Sequence, residues 1–248
     1  MEETSEHQIF EQDTSKYKKP FKKEIFEFVE QVVKECNPSS LVDIGCASGD
    51  FLFGLYDNNN DNNSNNSIKI AGIDKSKELI NIANERKKLR QVEFYEMDIT
   101  AKDQEERATE ILQKYGEVVT ILGTLQTFLD FRPLLDKILD NDNTKTIIIH
   151  STFNDDPIDV QIFHRDLTLN ETKFQSSRTF NAKKTVSNHL RAKGITDFVF
   201  LPFCMKSTLH KNDEIPSRNY HLFTQEGDKF TANGCRVFFK EYVLVIKK

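Results

Sequence analysis

The sequence predicts an α/β fold: a parallel sheet with helices on both faces, a late antiparallel strand pair, and lid-like insertions after the fifth strand. Three observations predict it. Short apolar runs alternate five times with stretches of helical periodicity, an order that calls for parallel strands joined by crossover helices. Acids or glycines stand where most of those runs end, and strand exits are where open α/β sheets bind ligands. A turn of small residues, Gly45-Cys-Ala-Ser-Gly49, follows the first run.

The elements follow in order. Residues 1–16 are polar and read as a loose N-terminus. Phe21, Ile25, Phe28, Val29 and Val32 recur at helical spacing, so a helix is predicted from Pro20 to about Cys36, with proline near its start. Leu41–Ile44 is a buried strand, and Phe51, Leu52 and Leu55 suit a helix after the turn. The tract from Asp57 to Ser67 has no apolar residue and reads as a surface loop.

Ile68–Ile73 is the second strand, ending at Asp74, with a helix through Leu79, Ile80 and Ala83. Val92–Tyr95 is the third, leading to Met97-Asp98, and Ala108, Ile111, Leu112 and Tyr115 mark the next helix. Val118–Leu122 is the fourth strand and stops at Gly123. Phe131, Leu134, Leu135, Ile138 and Leu139 form the clearest helical stripe. Thr146–Ile149 is the fifth strand, with His150 at its exit. Beyond it, 182–192 suits a helix, 196–203 a strand, 205–219 an insertion and 236–246 a closing strand. Residues 151–180 and 205–225 are assigned to a lid.

Composition narrows the function classes. The net charge of −5 speaks against duplex nucleic acid, whose phosphates are held by a basic face. The basic run Lys18, Lys19, Lys22 and Lys23 reads as a solvated helix face. No apolar run approaches the ~18 residues of a membrane span, and the acidic N-terminus lacks the order of a secretion signal. Cys36, Cys46, Cys204 and Cys235 stand far apart without a C-x-x-C pair. Reduced thiols in a cytoplasmic protein are therefore expected. Twenty phenylalanines could serve a homodimer interface as well as a core.

The first turn discriminates between nucleotides. A dinucleotide fingerprint needs Gly-x-Gly-x-x-Gly, but those positions hold Gly45, Ala47 and Asp50. Asp43 would also set a carboxylate beside a diphosphate. An NAD-linked oxidoreductase is disfavoured on both counts. S-adenosylmethionine has a sulfonium and an ammonium group and no phosphate, so Asp43 suits it. Glycines let backbone approach such a ligand closely, and Ala47 is tolerable if it need not adopt positive φ. Asp74 can accept from two ribose hydroxyls, and Asp98 from an adenine amino group.

With these residues in view, the chain resembles the class I S-adenosylmethionine-dependent methyltransferases, which are Rossmann-like. The resemblance rests on Leu41-Val-Asp-Ile-Gly-Cys-Ala-Ser-Gly49, Gly72-Ile-Asp74, Glu93-Phe-Tyr-Glu-Met-Asp98 and Leu122-Gly-Thr-Leu125. It covers roughly residues 15–150, and Ala47 departs from the family's middle glycine. The resemblance implies that Asp43, Gly45, Cys46, Ala47 and Gly49 cup the methionine part. Asp74 and Lys75 would then stand at the ribose, Asp98 and Ile99 at the adenine, and Gly123, Thr124 and Leu125 beside the donor.

It also implies one methyltransferase domain over 17–248. Residues 17–150 form its cofactor half, and 151–248 the acceptor-binding lid and closing strands. The C-terminal third is similar, through Phe153-Asn154, Ile158-Asp-Val160, Asn181-Ala-Lys-Lys-Thr-Val186, Leu201-Pro-Phe203 and Thr231-Ala-Asn-Gly234, to methyltransferases of surface-polysaccharide biosynthesis. A small polar acceptor follows: a hydroxyl or amine of a sugar or phosphorylated metabolite.

A hydroxyl acceptor calls for a general base, and His150 is the candidate. Gln126, Asn154, His164 and Arg165 are candidates to hold the acceptor. Arg165, Arg178 and Arg218 could take a phosphate or carboxylate on it. Asn154-Asp155-Asp156 offers oxygens to a cation but no spaced third ligand, so no metal site is expected. The Asn/Asp-Pro-Pro-Tyr signature of nucleic-acid amino-methylating enzymes is absent after the fourth strand, where Gly123-Thr-Leu-Gln-Thr-Phe stands. An RNA methyltransferase is thus a minor alternative. A module that binds the cofactor without chemistry is another.

Overall fold

A computed structural model describes residues 23–60, 68–164, 175–208, 220–223, 229–232 and 238–248. Its first half is a run of βα units: α1 (Glu24–Cys36), β1 (Ser40–Ile44), α2 (Asp50–Asn60), β2 (Lys69–Asp74), α3 (Lys77–Lys87), β3 (Val92–Glu96), α4 (Glu105–Tyr115), β4 (Val118–Leu122), α5 (Arg132–Leu139) and β5 (Thr146–Asn154). The second half adds β6 (Val160–His164), β7 (Gln175–Ala182), α6 (Lys183–Ala192), β8 (Asp197–Phe203), β9 (Tyr220–Phe223), β10 (Lys229–Ala232), β11 (Phe238–Phe239) and β12 (Glu241–Lys247).

The main sheet runs β3-β2-β1-β4-β5-β12-β8. Strands β1 to β5 pair in parallel, while β12 is antiparallel to both β5 and β8. The predicted late antiparallel pair is therefore present. The strand order reverses between β2-β1 and β1-β4, so the turn after β1 lies at the switch point, where open sheets hold ligands.

Alternation along the strands builds two cores. On one face Val42, Ile44, Val119, Ile121, Ile147 and Ile149 pack with α4, α5 and α6. On the other, Leu41, Ile70, Val118, Ile148, Val243 and Val245 pack with α1 and α2.

Several expectations need correction. The fifth strand does not end at Ile149; it runs on to Asn154, because β12 pairs with it through Glu241↔Thr152. His150 therefore lies inside β5, level with Leu122 at the end of β4. Residues 160–164 and 175–182 form an antiparallel pair, and β7 meets the extension of β5 in parallel. The expected closing strand over 236–246 is two strands: β11 joins β10 and β9 in a separate three-stranded sheet, and β12 follows after Lys240.

The Asn-rich tract begins as helix. Residues 57–60 continue α2, held by a bidentate Asp57–Arg90 pair (2.7 Å for each bond) and by Asn58 Nδ2 donating to Glu30 (2.7 Å). Those partners lie far away in sequence, which local polarity cannot reveal. The rest of that tract, the N-terminus through residue 22 and most of the 205–219 insertion lie outside the described residues. Among the described residues no helix is long and apolar enough to cross a membrane.

Candidate active site

The turn after β1 is built on β2. Gly45 and Cys46 both donate to the carbonyl of Ile73 (2.8 and 3.0 Å), and Ala47 N–H donates to Asp74 Oδ2 (2.9 Å). Asp74 Oδ1 accepts from Ser76 N–H (2.9 Å), which starts α3, where Ser76 Oγ also caps Leu79. One carboxylate thus ties the glycine turn to the exit of β2. Gly49, at φ +80°, closes the turn by donating to Cys46 O (3.0 Å), and α2 begins at Asp50. Arg86 reaches from α3 to Asp50 (2.5 Å) and to Ser48 Oγ (3.0 Å), clamping the same turn from outside.

Gly45 is fixed by space as well as by conformation. Its φ is +77°, and a Cβ there would lie 2.0 Å from Thr124 Oγ1. The turns after β1 and β4 therefore touch at this glycine. Gly123, at φ +81°, has nothing within 4 Å of the position its Cβ would take, so open space borders it. Ala47 does adopt positive φ, +48°. The condition under which alanine would be comfortable there is not met, and the residue carries about 1–2 kcal/mol of backbone strain relative to glycine.

Asp43 is 3% exposed, and one oxygen accepts from Thr120 Oγ1 (2.7 Å). Burial pushes its carboxyl up to about 7, nearby Asp74 adds to the rise, and the Thr120 hydrogen bond opposes it. A buried carboxylate facing a second acid suits a cationic ligand and is hostile to a diphosphate. The donor set thus fits S-adenosylmethionine. Burial likewise raises the Cys46 thiol, whose side chain packs against Gly72 and is no nucleophile.

Other predicted positions divide. Asp98 Oδ1 accepts from Thr100 N–H and Oγ1 (2.9 and 2.7 Å), so this acid also shapes its own turn. The side chains of Ile99 and Leu125 are buried in the core, leaving only backbone to face a ligand, while Lys75 is exposed. Gln126 Oε1 accepts from Thr152 Oγ1 (3.1 Å), bridging the β4 exit to β5. Asn154 is spent on a local turn, donating to Ile158 O and accepting from Asp156 N–H.

Asp155 pairs with Lys183 (2.5 Å) and Tyr242 rather than with a cation site. Among the described residues no three His, Cys, Asp or Glu side chains cluster as metal ligands. His164 ends β6 with its side chain outside the described residues, as are Arg165 and Arg218. Arg178 lies over the Phe239 ring (5.7 Å to its centroid).

His150 is brought to the same end of the sheet. Its carbonyl accepts from Gly123 N–H (2.9 Å), its ring meets Phe203 edge-on, and its Nε2 lies 3.7 Å from Glu241 Oε2. Glu241 and Thr120 were not singled out from sequence, and Phe203 only as part of the Leu201-Pro-Phe203 segment. The available signal was a glutamate heading the apolar run Glu241-Tyr-Val-Leu-Val-Ile246, which carries meaning only once β12 is known to pair with β5.

A mostly parallel sheet closed by a late antiparallel pair and flanked by helices fits a Rossmann-like methyltransferase fold. The chain belongs to the family of methyltransferase domains, whose model matches residues 38–216. No curated protein matches it in sequence.

Solved structures share the fold at low identity. The N-terminal domain of EvdMO1, crystallised in the presence of S-adenosylhomocysteine and D-fucose, is 11% identical with a TM-score of 0.57, over 92% of this chain and 84% of that one. The methyltransferase domain of bacterial CtHen1 is 14% identical (TM-score 0.52, over 90% and 97%). The glycopeptide N-methyltransferase MtfA, complexed with S-adenosylhomocysteine, is 10% identical (TM-score 0.51, over 90% and 86%). These likenesses concern the fold; by its family match this chain is a methyltransferase, with S-adenosylmethionine as its cofactor.

Proposed function

We propose that the chain transfers the methyl group to a small polar acceptor, a hydroxyl or amine of a sugar or phosphorylated metabolite, in the cytoplasm. The observation that carries this reading is the buried Asp43 carboxylate beside a turn held by Asp74. In this reading Asp43, Gly45, Cys46, Ala47 and Gly49 cup the amino-acid end of the donor. Asp74 and Lys75 stand at the ribose, Asp98 and the Ile99 backbone at the adenine, and Gly123, Thr124 and Leu125 line the methyl-bearing side.

When bound, the cofactor supplies an electrophilic methyl carbon. The protein's own residues align an acceptor with it, and alignment alone supplies a large part of the rate. His150 is the proposed base for a hydroxyl. Gln126, held by Thr152, is set to orient the acceptor, and Asn154, His164 and Arg165 remain candidates from the sequence alone.

A sugar acceptor is suggested by the C-terminal resemblance, which also underlies a proposed role in surface-polysaccharide biosynthesis. A structural neighbour crystallised with D-fucose makes deoxysugars a reasonable first panel.

Thermal melts with S-adenosylmethionine, S-adenosylhomocysteine and NAD test the cofactor half. A ligand at ~100 times its Kd stabilises the fold by roughly 2.7 kcal/mol, a shift of several degrees. Stabilisation by the sulfur nucleosides and not by NAD is expected. Transfer of label from S-[methyl-3H]adenosylmethionine to a sugar panel then tests the acceptor, and binding without turnover on any acceptor would favour a cofactor-binding module.

A further inference from the structure

We propose that Glu241 is a positioning residue for His150: it holds the Nε2–H of the ring and leaves Nδ1 as the nitrogen that takes a proton from a hydroxyl acceptor. The proposal rests on the reading of this end of the sheet as the acceptor site.

Register brings the two residues together. Thr152 pairs with Glu241 and His150 with Val243 across the antiparallel β5–β12 ladder. His150 and Glu241 are thus diagonal neighbours on one face of the sheet, within reach of long side chains. Both are well covered, with side chains 14% and 12% exposed. Phe203, on the far side of β12, lies edge-on to the imidazole at 5.7 Å between centroids and limits its rotation.

Electrostatics then fixes the tautomer. His150 Nε2 is buried and makes no hydrogen bond among the described residues, yet it faces the Glu241 carboxylate at 3.7 Å. A lone pair at Nε2 would point at a carboxylate, which is repulsive. A proton there has an acceptor within a small side-chain movement, and catalytic hydrogen bonds are often long before substrate arrives. Protonation at Nε2 leaves the lone pair on Nδ1.

The surroundings suit proton removal from a neutral nucleophile. Gly123, whose N–H binds the His150 carbonyl, borders open space, and the Thr152–Gln126 pair stands at the same rim. The step balances: the acceptor oxygen's electron pair forms the O–C bond, the C–S bond breaks with its pair staying on sulfur, and the hydroxyl proton moves to Nδ1. The resulting imidazolium faces Glu241. An amine acceptor arriving as a free base needs none of this, so the arrangement favours a hydroxyl.

The test is histidine 15N–1H NMR on the full chain, with and without S-adenosylhomocysteine, the His150 signals being those that vanish in His150→Gln. The expected result is an exchange-protected, downfield Nε2–H for His150 that is lost in Glu241→Met while S-adenosylhomocysteine affinity is unchanged. An Nδ1–H tautomer in the wild type, or a protected Nε2–H that persists in Glu241→Met, would overturn the proposal. Should Glu241→Met not fold, Glu241→Gln keeps an acceptor but removes its charge. The proton resonance should then move upfield, and an unmoved resonance counts against the proposal. Absence of S-adenosylhomocysteine binding by the wild type would instead count against the cofactor reading, separately from the NMR result.

Discussion

Ala47 N–H donates to Asp74 Oδ2 at 2.9 Å, so the turn after β1 and the acid that ends β2 are one unit. The same carboxylate starts α3 through Ser76. Any ligand that contacts Asp74 is therefore felt at the glycine turn, and disturbing either residue disturbs both.

Ala47 is the strained member of that unit, at φ +48°. Ala47→Gly relieves about 1 kcal/mol of strain, partly offset by the greater freedom of glycine in the unfolded chain. A rise of roughly 1–3 °C in Tm is expected, with S-adenosylhomocysteine affinity retained. A lower Tm would show that the alanine methyl makes packing contacts worth more than the strain.

Gly45 should tolerate nothing larger. A Cβ at 2.0 Å from Thr124 Oγ1, on a residue at φ +77°, forces the β1 and β4 turns apart. Gly45→Ala is expected to lose several kcal/mol of stability or to abolish cofactor binding, read by melting and calorimetry.

Asp43 makes stability depend on pH. Its carboxyl is raised from 3.8 in the unfolded chain to about 7 in the folded one. The folded state thus holds this proton more tightly, and the group's contribution is complete below about pH 4 and lost as pH rises to about 7. Asp43→Asn should flatten that part of the profile and be more stable than the wild type at pH 8, while binding S-adenosylhomocysteine more weakly. In the wild type, affinity should increase from pH 6 to 8 as the carboxylate ionises to meet the ligand's ammonium group. A pH-independent affinity would separate Asp43 from the ligand.

Arg86 should matter through the turn it clamps. Arg86→Ala removes its bonds to Asp50 and Ser48 and its stacking over Phe53. A loss of about 1–3 kcal/mol is expected from a partly buried charged pair, with S-adenosylhomocysteine affinity lowered by the looser turn. Chemical denaturation and calorimetry on the same variant measure both.

Much of the first half of the fold was legible because its signals are local. Val118–Leu122 alone carries a buried strand, and the stripe from Phe131 to Leu139 alone carries a helix face. Asp74 and Asp98 could be placed because the strands before them could. What was hidden depends on partners distant in the chain. β5 reads as ending at Ile149 because the polar run His150-Ser-Thr152 looks like an exit, and only the pairing with β12 shows otherwise. Helical order at Asp57 and Asn58 comes from Arg90 and Glu30. Glu241 acquires a role only through register with Thr152. Ala47 shows a subtler limit: its identity was visible, but its positive φ is imposed by the hydrogen bonds of the turn to Ile73 and Asp74.

We propose that the Asp74-linked turn holds S-adenosylmethionine. Titration calorimetry of S-adenosylhomocysteine into the wild type and Asp74→Ala tests it directly. Removing a carboxylate that accepts charge-assisted hydrogen bonds costs roughly 1.5–3 kcal/mol, so a ten- to hundred-fold weaker Kd, or no detectable binding, is predicted for a variant that remains folded. Equal affinity in the two proteins would place the cofactor away from Asp74.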